Sequence, residues 1–212
     1  MNNETIIQNS SKFSLLSEER LLNNIRSIDH ILLKNIQGHI VEIGVYRGGS
    51  IMAMIYTLQR NNALKHIYLY DTFEGMTDAT QNDTIIATGE HYNNAVVNSV
   101  SLACIASLED VKQNISTTNY DETYIHYVKG NILNNQIFPD KISILRLDTD
   151  FYDSTKHELE TFYDLVSPGG IIIIDDYGFW NGSRRATDEF LQDKPHIKLY
   201  DIDNTGVFFV KP

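Results

Sequence analysis

Four aspartates that follow two apolar segments are the residues of this sequence best placed to do chemistry. Asp148 and Asp150 follow the apolar run 142–147, and Asp175 and Asp176 follow four consecutive isoleucines. Apolar runs without polar alternation are typical of strands in a parallel sheet that helices cover on both faces. Because ligands bind at the carboxyl ends of such strands, we expect the four carboxylates to meet at a ligand site.

A cluster of carboxylates needs a compensating charge. Like charges a few ångströms apart repel, and their pKa values rise unless a cation lies between them. Mg²⁺ is suited to this place because it prefers oxygen ligands. The alternative is that each acid only caps a following helix. Paired acids on two strands favour the metal over the caps.

The composition limits the possible partners. With 212 residues, 42% of them hydrophobic and 21% charged, the chain fits one domain of moderate size. A formal charge of −11 argues against nucleic acid or an anionic membrane as the main partner. Cys104 is the only cysteine, which excludes an intrachain disulfide and favours the cytoplasm. The polar N-terminus lacks the apolar core of a signal peptide, and no segment reaches the roughly 20 apolar residues of a membrane span.

The segment 39–60 is predicted to be a strand, a glycine-containing turn and a helix. Its glycines allow a ligand to approach the backbone closely. The spacing of Gly44, Gly48 and Gly49 departs from the G-x-G-x-x-G fingerprint of dinucleotide-binding proteins, which argues against NAD. Glu42, near the end of the strand, suits a cationic ligand. S-adenosylmethionine carries an ammonium and a sulfonium and therefore fits this site.

Two further strands are expected to complete the cofactor site. The segment 66–76 ends its strand at Asp71, where folds of this kind bind the hydroxyls of a ribose. A helix cap is an equally good explanation of an acid at that position. The segment 124–134 gives a third strand and a turn at Gly130 and Asn131, which we expect to border the adenine pocket.

The remaining elements are expected to surround this centre. Residues 1–13 are predicted to be a loose arm, and 77–100 an irregular lid in which His91 and Tyr92 could contact substrate. Most histidines in such loops are only solvated, so the case for His91 is poor. The other predictions are helices at 17–36, 101–116, 153–167 and 181–193, a stop at 168–170 and a closing antiparallel hairpin at 196–212.

Five sequence blocks resemble the macrocin O-methyltransferase (TylF-type) family: VEIGVYRGGS (41–50), YDTFEGM (70–76), LRLDTDFYDST (145–155), SPGGIIIIDDYG (167–178) and RRATDEF (184–190). The resemblance implies an α/β, Rossmann-like class I methyltransferase domain over residues 38–212, preceded by an N-terminal arm and helix at 1–37. Its sheet would have seven mostly parallel strands, helices on both faces and a C-terminal antiparallel hairpin. The expected cofactors are S-adenosylmethionine and Mg²⁺.

The same resemblance implies roles for individual residues. Asp148, Asp175 and Asp176 would bind the metal, and Asp150 would be the general base. His157, one helix step further, is a competing base, although its position on the helix favours a surface role. The expected cofactor-binding residues are Glu42, Gly44, Tyr46, Gly48, Gly49, Ser50, Asp71, Thr72, Phe73, Gly130 and Asn131.

The expected reaction is methyl transfer to a sugar hydroxyl. The acceptor would be a small molecule, either a glycosylated natural product or a sugar nucleotide used for a surface polysaccharide. Neither nucleic acid nor membrane is expected as a partner, and a homodimer is expected. Two alternatives stay open at this point: a nicotinamide-dependent oxidoreductase and a non-catalytic protein that binds S-adenosylmethionine.

Overall fold

The computed structural model describes the backbone of residues 1–212, and the side chains of all of them except residues 100 and 101. The strands of this described chain are β1 (His39–Ile43), β2 (Ile67–Asp71), β3 (Ile125–Lys129), β4 (Ile142–Leu147), β5 (Val166–Ile174), β6 (Tyr200–Asp201) and β7 (Val207–Val210). They form one sheet in the order β3-β2-β1-β4-β5-β7-β6. Strands β1 to β5 pair in parallel, and β7 pairs antiparallel to β5 and β6. The predicted mostly parallel seven-stranded sheet with a closing hairpin is confirmed.

Helices cover both faces of this sheet. The α-helices of the described backbone are α1 (Asn3–Ser10), α2 (Glu18–Leu33), α3 (Gly49–Arg60), α4 (Tyr92–Asn98), α5 (Leu108–Ser116), α6 (Tyr152–Phe162) and α7 (Asn181–Leu191). One face packs against α2, α3 and α5, and the other against α6 and α7. Successive residues of β1 alternate between the two layers, and both Ile40 and Val41 are fully buried. This double burial explains the apolar runs without polar alternation.

The N-terminal segment differs from the predicted loose arm. Residues 3–10 form helix α1, and residues 11–13 form a 3₁₀ turn. Asn2 caps α1 by accepting a hydrogen bond from the backbone N–H of Thr5. An isolated helix of this length is marginal in water, so packing must stabilise it. Ile6 provides that packing, because it is fully buried in a small cluster with Leu21 and Ala53.

Two helix boundaries also differ from the prediction. The helix predicted from residue 101 begins at Leu108, where Ser107 caps it by accepting a hydrogen bond from the N–H of Asp110. Cys104 therefore lies in the preceding loop. The helix predicted to reach residue 167 ends at Phe162, and a 3₁₀ turn follows. The predicted stop at 168–170 lies inside β5 instead, beside a register irregularity that accommodates an exposed proline.

The segment 77–100 is only partly irregular. It contains α4 and two isolated bridges, one between Thr84 and His91 and one between Ile85 and Trp180. The first bridge closes a loop within the segment, and the second attaches the segment to the part of the chain that follows β5. Its function as a lid stays a prediction. No helix among those that the structure describes is long and apolar enough to cross a membrane.

Candidate active site

A cavity of about 270 Å³ opens where the parallel strands end. The sheet order reverses between β1 and β4, and a ligand of an open α/β sheet binds at such a switch point. The ends of β1, β2, β4 and β5 contribute Gly44, Asp71, Asp148 and Asp175 to the cavity wall. The predicted meeting of acids from separate strands is therefore present in the structure.

Three of the aspartates form the centre of this site. Asp148, Asp150 and Asp176 each offer a carboxylate oxygen, and these oxygens all lie within 4.8 Å of one another. Asp150 has a positive φ of 68°, a strained conformation that aims it back at the cluster. The indole N–H of Trp180 donates a hydrogen bond of 3.1 Å to Asp150. These contacts hold three acids in a space that a single cation could fill.

The pKa values of the cluster report uncompensated negative charge. Burial raises the pKa of Asp150 to about 7. Burial, together with the neighbouring Asp150 and Asp148, raises the pKa of Asp176 well above its ordinary value. Asp148 differs: burial acts to raise its pKa, but Arg146 outweighs burial and leaves the pKa below the ordinary value. A cation placed between these carboxylates would lower the raised pKa values of Asp150 and Asp176.

Asp175 is oriented differently from the other three. Its Oδ1 accepts a hydrogen bond of 2.5 Å from Arg146, and its Oδ2 accepts one from Arg20. Both carboxylate oxygens are therefore held by guanidinium groups. The resemblance implied Asp148, Asp175 and Asp176 as metal ligands, whereas the structure gathers Asp148, Asp150 and Asp176. The two sets share Asp148 and Asp176.

Arg146 is a central residue of the site that sequence reasoning did not identify. It lies within β4, is 1% exposed, and contacts three carboxylates. Besides Asp175, it donates to Glu42 at 3.1 Å and to Asp148 at 2.6 Å. Burial acts to lower its pKa, but these acids outweigh burial and keep the guanidinium charged. A charged residue among the isoleucines and leucines of the run 142–147 was the signal that could have indicated it.

Glu42 lies behind the cavity wall instead of facing a ligand. It is fully buried against Arg146, and its Oε2 has no hydrogen-bond partner among the described residues. Burial raises the pKa of Glu42 to about 7, against the opposing effect of Arg146. In this geometry Glu42 positions Arg146, and a direct contact between Glu42 and a cofactor stays a prediction.

The glycine turn after β1 and the end of β2 are bound together by Asp71. Its carboxylate accepts backbone N–H groups from Val45 at 2.6 Å, Tyr46 at 3.2 Å and Phe73 at 2.7 Å. Gly44 has a φ of 85°, and a Cβ there would lie 2.1 Å from the backbone oxygen of Asp148. Only glycine permits this close approach of β1 and β4.

Most of the predicted cofactor residues border the cavity. Seven of them belong to the described cavity wall: Gly44, Tyr46, Gly49, Ser50, Asp71, Thr72 and Gly130. Four are not part of that wall: Glu42, Gly48, Phe73 and Asn131. Gly48 is the N-cap residue that precedes α3, with a φ of 90°, and Asn131 caps a 3₁₀ turn. These positions shape the turns that carry the wall residues.

The N-terminal segment supplies a part of the wall that the sequence did not predict. Residues 13–16 line the cavity, as does Arg20 from the first turn of α2. Gly49 makes this possible, because a Cβ there would lie 2.5 Å from the backbone oxygen of Ser10. Arg20 also donates to Asp203 of the C-terminal hairpin at 2.9 Å. Both ends of the chain thus meet at the acidic cluster.

The histidines proposed for chemistry have structural positions. His91 caps α4 and contacts the backbone oxygen of Thr80 at 2.8 Å. Tyr92 packs against Phe151 and Trp180 in a buried aromatic cluster. Among the described residues that line the cavity, His91, Tyr92 and His157 are absent. The aromatic cluster supports Trp180, and through it the orientation of Asp150.

The decisive comparison is with protein families. A family model described as macrocin O-methyltransferase (TylF) matches residues 8–211. The chain belongs to this family. It is an S-adenosylmethionine-dependent O-methyltransferase, as the five sequence blocks had implied. The nicotinamide-dependent oxidoreductase and the non-catalytic binding protein are thereby set aside.

Curated relatives and solved structures agree with this assignment. Demethyldecarbamoylnovobiocin O-methyltransferase of Streptomyces niveus is 28% identical over 207 residues, which are 92% of this chain and 74% of the relative. Mycinamicin III 3''-O-methyltransferase of Micromonospora griseorubida is 27% identical over 205 residues, 92% of this chain and 77% of that protein. The structure of the O-methyltransferase NovP superposes with a TM-score of 0.81 at 25% identity, covering 94% of this chain and 82% of NovP. The class I methyltransferase fold is confirmed.

Proposed function

We propose that this enzyme transfers a methyl group from S-adenosylmethionine to a sugar hydroxyl with the help of Mg²⁺. The observation that carries the proposal is the group of three carboxylates within 4.8 Å beside the glycine turn. The names of the relatives support the sugar acceptor, since one of them is a methyltransferase acting on a rhamnosyl-tetracenomycin at its 4' position. The acceptor is either such a glycoside or a sugar nucleotide.

The residues present fit a hard divalent cation. Their ligand atoms are carboxylate oxygens, which Mg²⁺ prefers, and the raised pKa values of Asp150 and Asp176 mark charge that a cation would offset. Asp148 and Asp176 would hold the metal in either ligand set, and Asp175 completes the set implied by the family resemblance. When bound, Mg²⁺ would lower the pKa of the acceptor hydroxyl and orient it.

Asp150 is then the general base. Its carboxylate would take the proton of the acceptor hydroxyl, and bound S-adenosylmethionine would supply the methyl group from its sulfonium and be left as S-adenosylhomocysteine. Burial raises the pKa of Asp150 to about 7 in the absence of a metal, and bound Mg²⁺ would lower it, so that the carboxylate is ionised and able to accept a proton at neutral pH. Trp180 holds the carboxylate in place through its indole N–H. Asp71 holds the glycine turn after β1 to the end of β2, because its carboxylate accepts hydrogen bonds from three backbone N–H groups.

Variants of Asp150 and Asp175 show which of the two aspartates is the general base and which is a metal ligand. If Asp150 is the base and Asp175 the ligand, Asp150→Asn keeps Mg²⁺ affinity and loses turnover by at least ~100-fold. Asp175→Asn then weakens Mg²⁺ binding. Titration calorimetry with Mg²⁺ in the presence of S-adenosylhomocysteine measures the affinity, and methyl transfer to a panel of glycosides and sugar nucleotides measures turnover.

The control is Asp153→Asn, an exposed aspartate on the neighbouring helix. It should change neither quantity. Loss of Mg²⁺ binding in Asp150→Asn would make Asp150 a ligand, and full activity after removal of divalent ions with EDTA would end the metal proposal. The homodimer and the cytoplasmic location stay predictions from the sequence.

A further inference from the structure

Asp150 lies at the centre of a tight turn between β4 and α6. The backbone N–H of Phe151 donates a hydrogen bond of 2.7 Å to the backbone oxygen of Thr149, and Asp150 between them has a φ of 68°. A hydrogen bond between residues i and i+2 around a positive φ is the pattern of a γ-turn that is rare and strained. Contacts from the surrounding structure must therefore hold the turn in this conformation.

Two side chains of helix α6 make such contacts. Ser154 Oγ donates to the backbone oxygens of Phe151 at 3.1 Å and of Thr149 at 3.3 Å. Glu158, one helical turn further along, accepts a hydrogen bond of 2.7 Å from the hydroxyl of Thr149. Thr149 belongs to the described cavity wall, whereas Glu158 does not. Glu158 therefore reaches the catalytic site through Thr149.

The burial of Glu158 does not favour stability. Its side chain is fully buried, and its Oε2 has no hydrogen-bond partner among the described residues. Burial raises the pKa of Glu158 to about 8, against the opposing effect of the hydrogen bond from Thr149. A polar atom buried without a partner costs free energy. What this carboxyl contributes is the contact that its other oxygen makes with Thr149.

We propose that Glu158 is a positioning residue, which holds Thr149 and thereby keeps Asp150 in the acidic cluster. The inference rests on the role of Asp150 in the proposed function. Trp180 holds the carboxylate of Asp150 at 3.1 Å, and Glu158 restrains the backbone on which that carboxylate is carried. Without the contact to Glu158 the strained turn relaxes and the carboxylate moves. Displacement of a catalytic group by about 1 Å can cost about 100-fold in rate.

Glu158→Met tests the proposal, because methionine has a similar length and lacks the carboxyl. We expect kcat to fall about tenfold or more, since the base is displaced. The KM for S-adenosylmethionine should stay within about twofold of the wild-type value, because the glycine turn after β1 is untouched. The melting temperature should equal that of the wild type or exceed it, because the unpartnered buried oxygen is removed. Lost turnover without lost stability separates positioning from a purely structural role.

Three matched variants identify the contact itself. Glu158→Gln keeps an oxygen that can accept from Thr149 and should restore most of the kcat that Glu158→Met loses. Thr149→Val removes the hydroxyl, leaves α6 unchanged and should reproduce the loss. The double variant Thr149→Val with Glu158→Met should lose no more than either single variant, because both remove the same contact. The control is Glu160→Met, which changes an exposed glutamate of the same helix and should leave kcat unchanged.

Wild-type kcat in Glu158→Met or Thr149→Val would overturn the proposal. Losses that multiply in the double variant would also overturn it, because the two residues would then act independently. If Glu158→Met does not fold, Thr149→Val decides alone. Asp150→Asn is measured beside them: wild-type turnover in that variant would reject the proposed role of Asp150, whereas lost turnover there with none lost in Thr149→Val would reject only the role of Glu158.

Discussion

Replacement of Arg146 by methionine tests whether the acidic cluster depends on an internal cation. The guanidinium is 1% exposed and contacts Glu42, Asp148 and Asp175. Methionine keeps an unbranched stem of similar length and removes the charge. The change therefore removes the guanidinium from the buried Glu42 and Asp175 and from the partly exposed Asp148, and of these Asp175 keeps Arg20 as a partner.

The expected loss of stability is large. Removal of one partner from a buried ion pair costs about 3–5 kcal/mol, because the other charge stays buried and unpaired. Three acids lose a partner here, although they partly compensate by taking up protons. We expect the free energy of unfolding to fall by at least ~4 kcal/mol at neutral pH, a large fraction of the roughly 5–15 kcal/mol of a typical domain.

Urea denaturation at neutral pH measures this loss, and Arg60→Met is the matched control. Arg60 makes a two-pronged ion pair with Asp29, at 2.9 and 2.7 Å, on the surface. The Arg60 side chain is 23% exposed and that of Asp29 45% exposed, so the pair should contribute only ~0–1 kcal/mol. Adding Glu42→Gln to Arg146→Met should restore part of the lost stability. Equal losses in the two arginine variants would refute this account of the cluster.

Three further changes test other parts of the site. Burial raises the pKa of Asp150 to about 7 in the absence of a metal, and Mg²⁺ beside it would lower that pKa, so kcat should fall as the pH drops below 7 and the base takes up its proton; a kcat that increases toward acid pH would contradict its role. Arg20→Gln removes a positive charge from Asp175 and should tighten Mg²⁺ binding about tenfold or more in calorimetry, so an unchanged affinity would show that Arg20 does not oppose the metal. Gly44→Ala places a methyl group against Asp148 at a φ of 85°, and the backbone strain alone should lower the free energy of unfolding by at least ~1–3 kcal/mol. Chemical denaturation measures this loss, and a variant as stable as the wild type would argue against the constraint.

The fold was predictable because the decisive pattern is local. Each parallel strand is buried on both faces, so it appears in the sequence as an apolar run, and its last residues identify the edge at which ligands bind. The positions of Asp71, Asp148 and Asp176 at the cavity followed from this pattern alone. The N-terminal helix was missed because its stability comes from the burial of Ile6 against α2 and α3, which no local pattern shows.

The orientation of the acids depends on side-chain direction and on contacts between residues far apart in the sequence. Side chains two apart along an extended chain point the same way, whereas neighbours point to opposite sides. Asp175 and Asp176 are neighbours, so only one of them can readily join Asp148, whereas Asp150 lies beyond the end of β4 and reaches the same site with a φ of 68°. Asp176 does so in this structure, while Arg20 and Arg146 hold Asp175. These contacts join residues up to 155 positions apart, beyond the reach of a pattern-based prediction.

The charge balance of the site limits the acceptor. Two guanidinium groups, Arg20 and Arg146, face six carboxylates, which leaves a formal excess of four negative charges from Glu42, Asp148, Asp150, Asp175, Asp176 and Asp203. The proposed Mg²⁺ and the net single positive charge of S-adenosylmethionine would offset three of these charges. A neutral hydroxyl group can enter such a site, whereas a phosphate beside the acids would add to the repulsion between negative charges. If the acceptor is a sugar nucleotide, its diphosphate must therefore lie outside the acidic cluster, with only the sugar reaching Asp150.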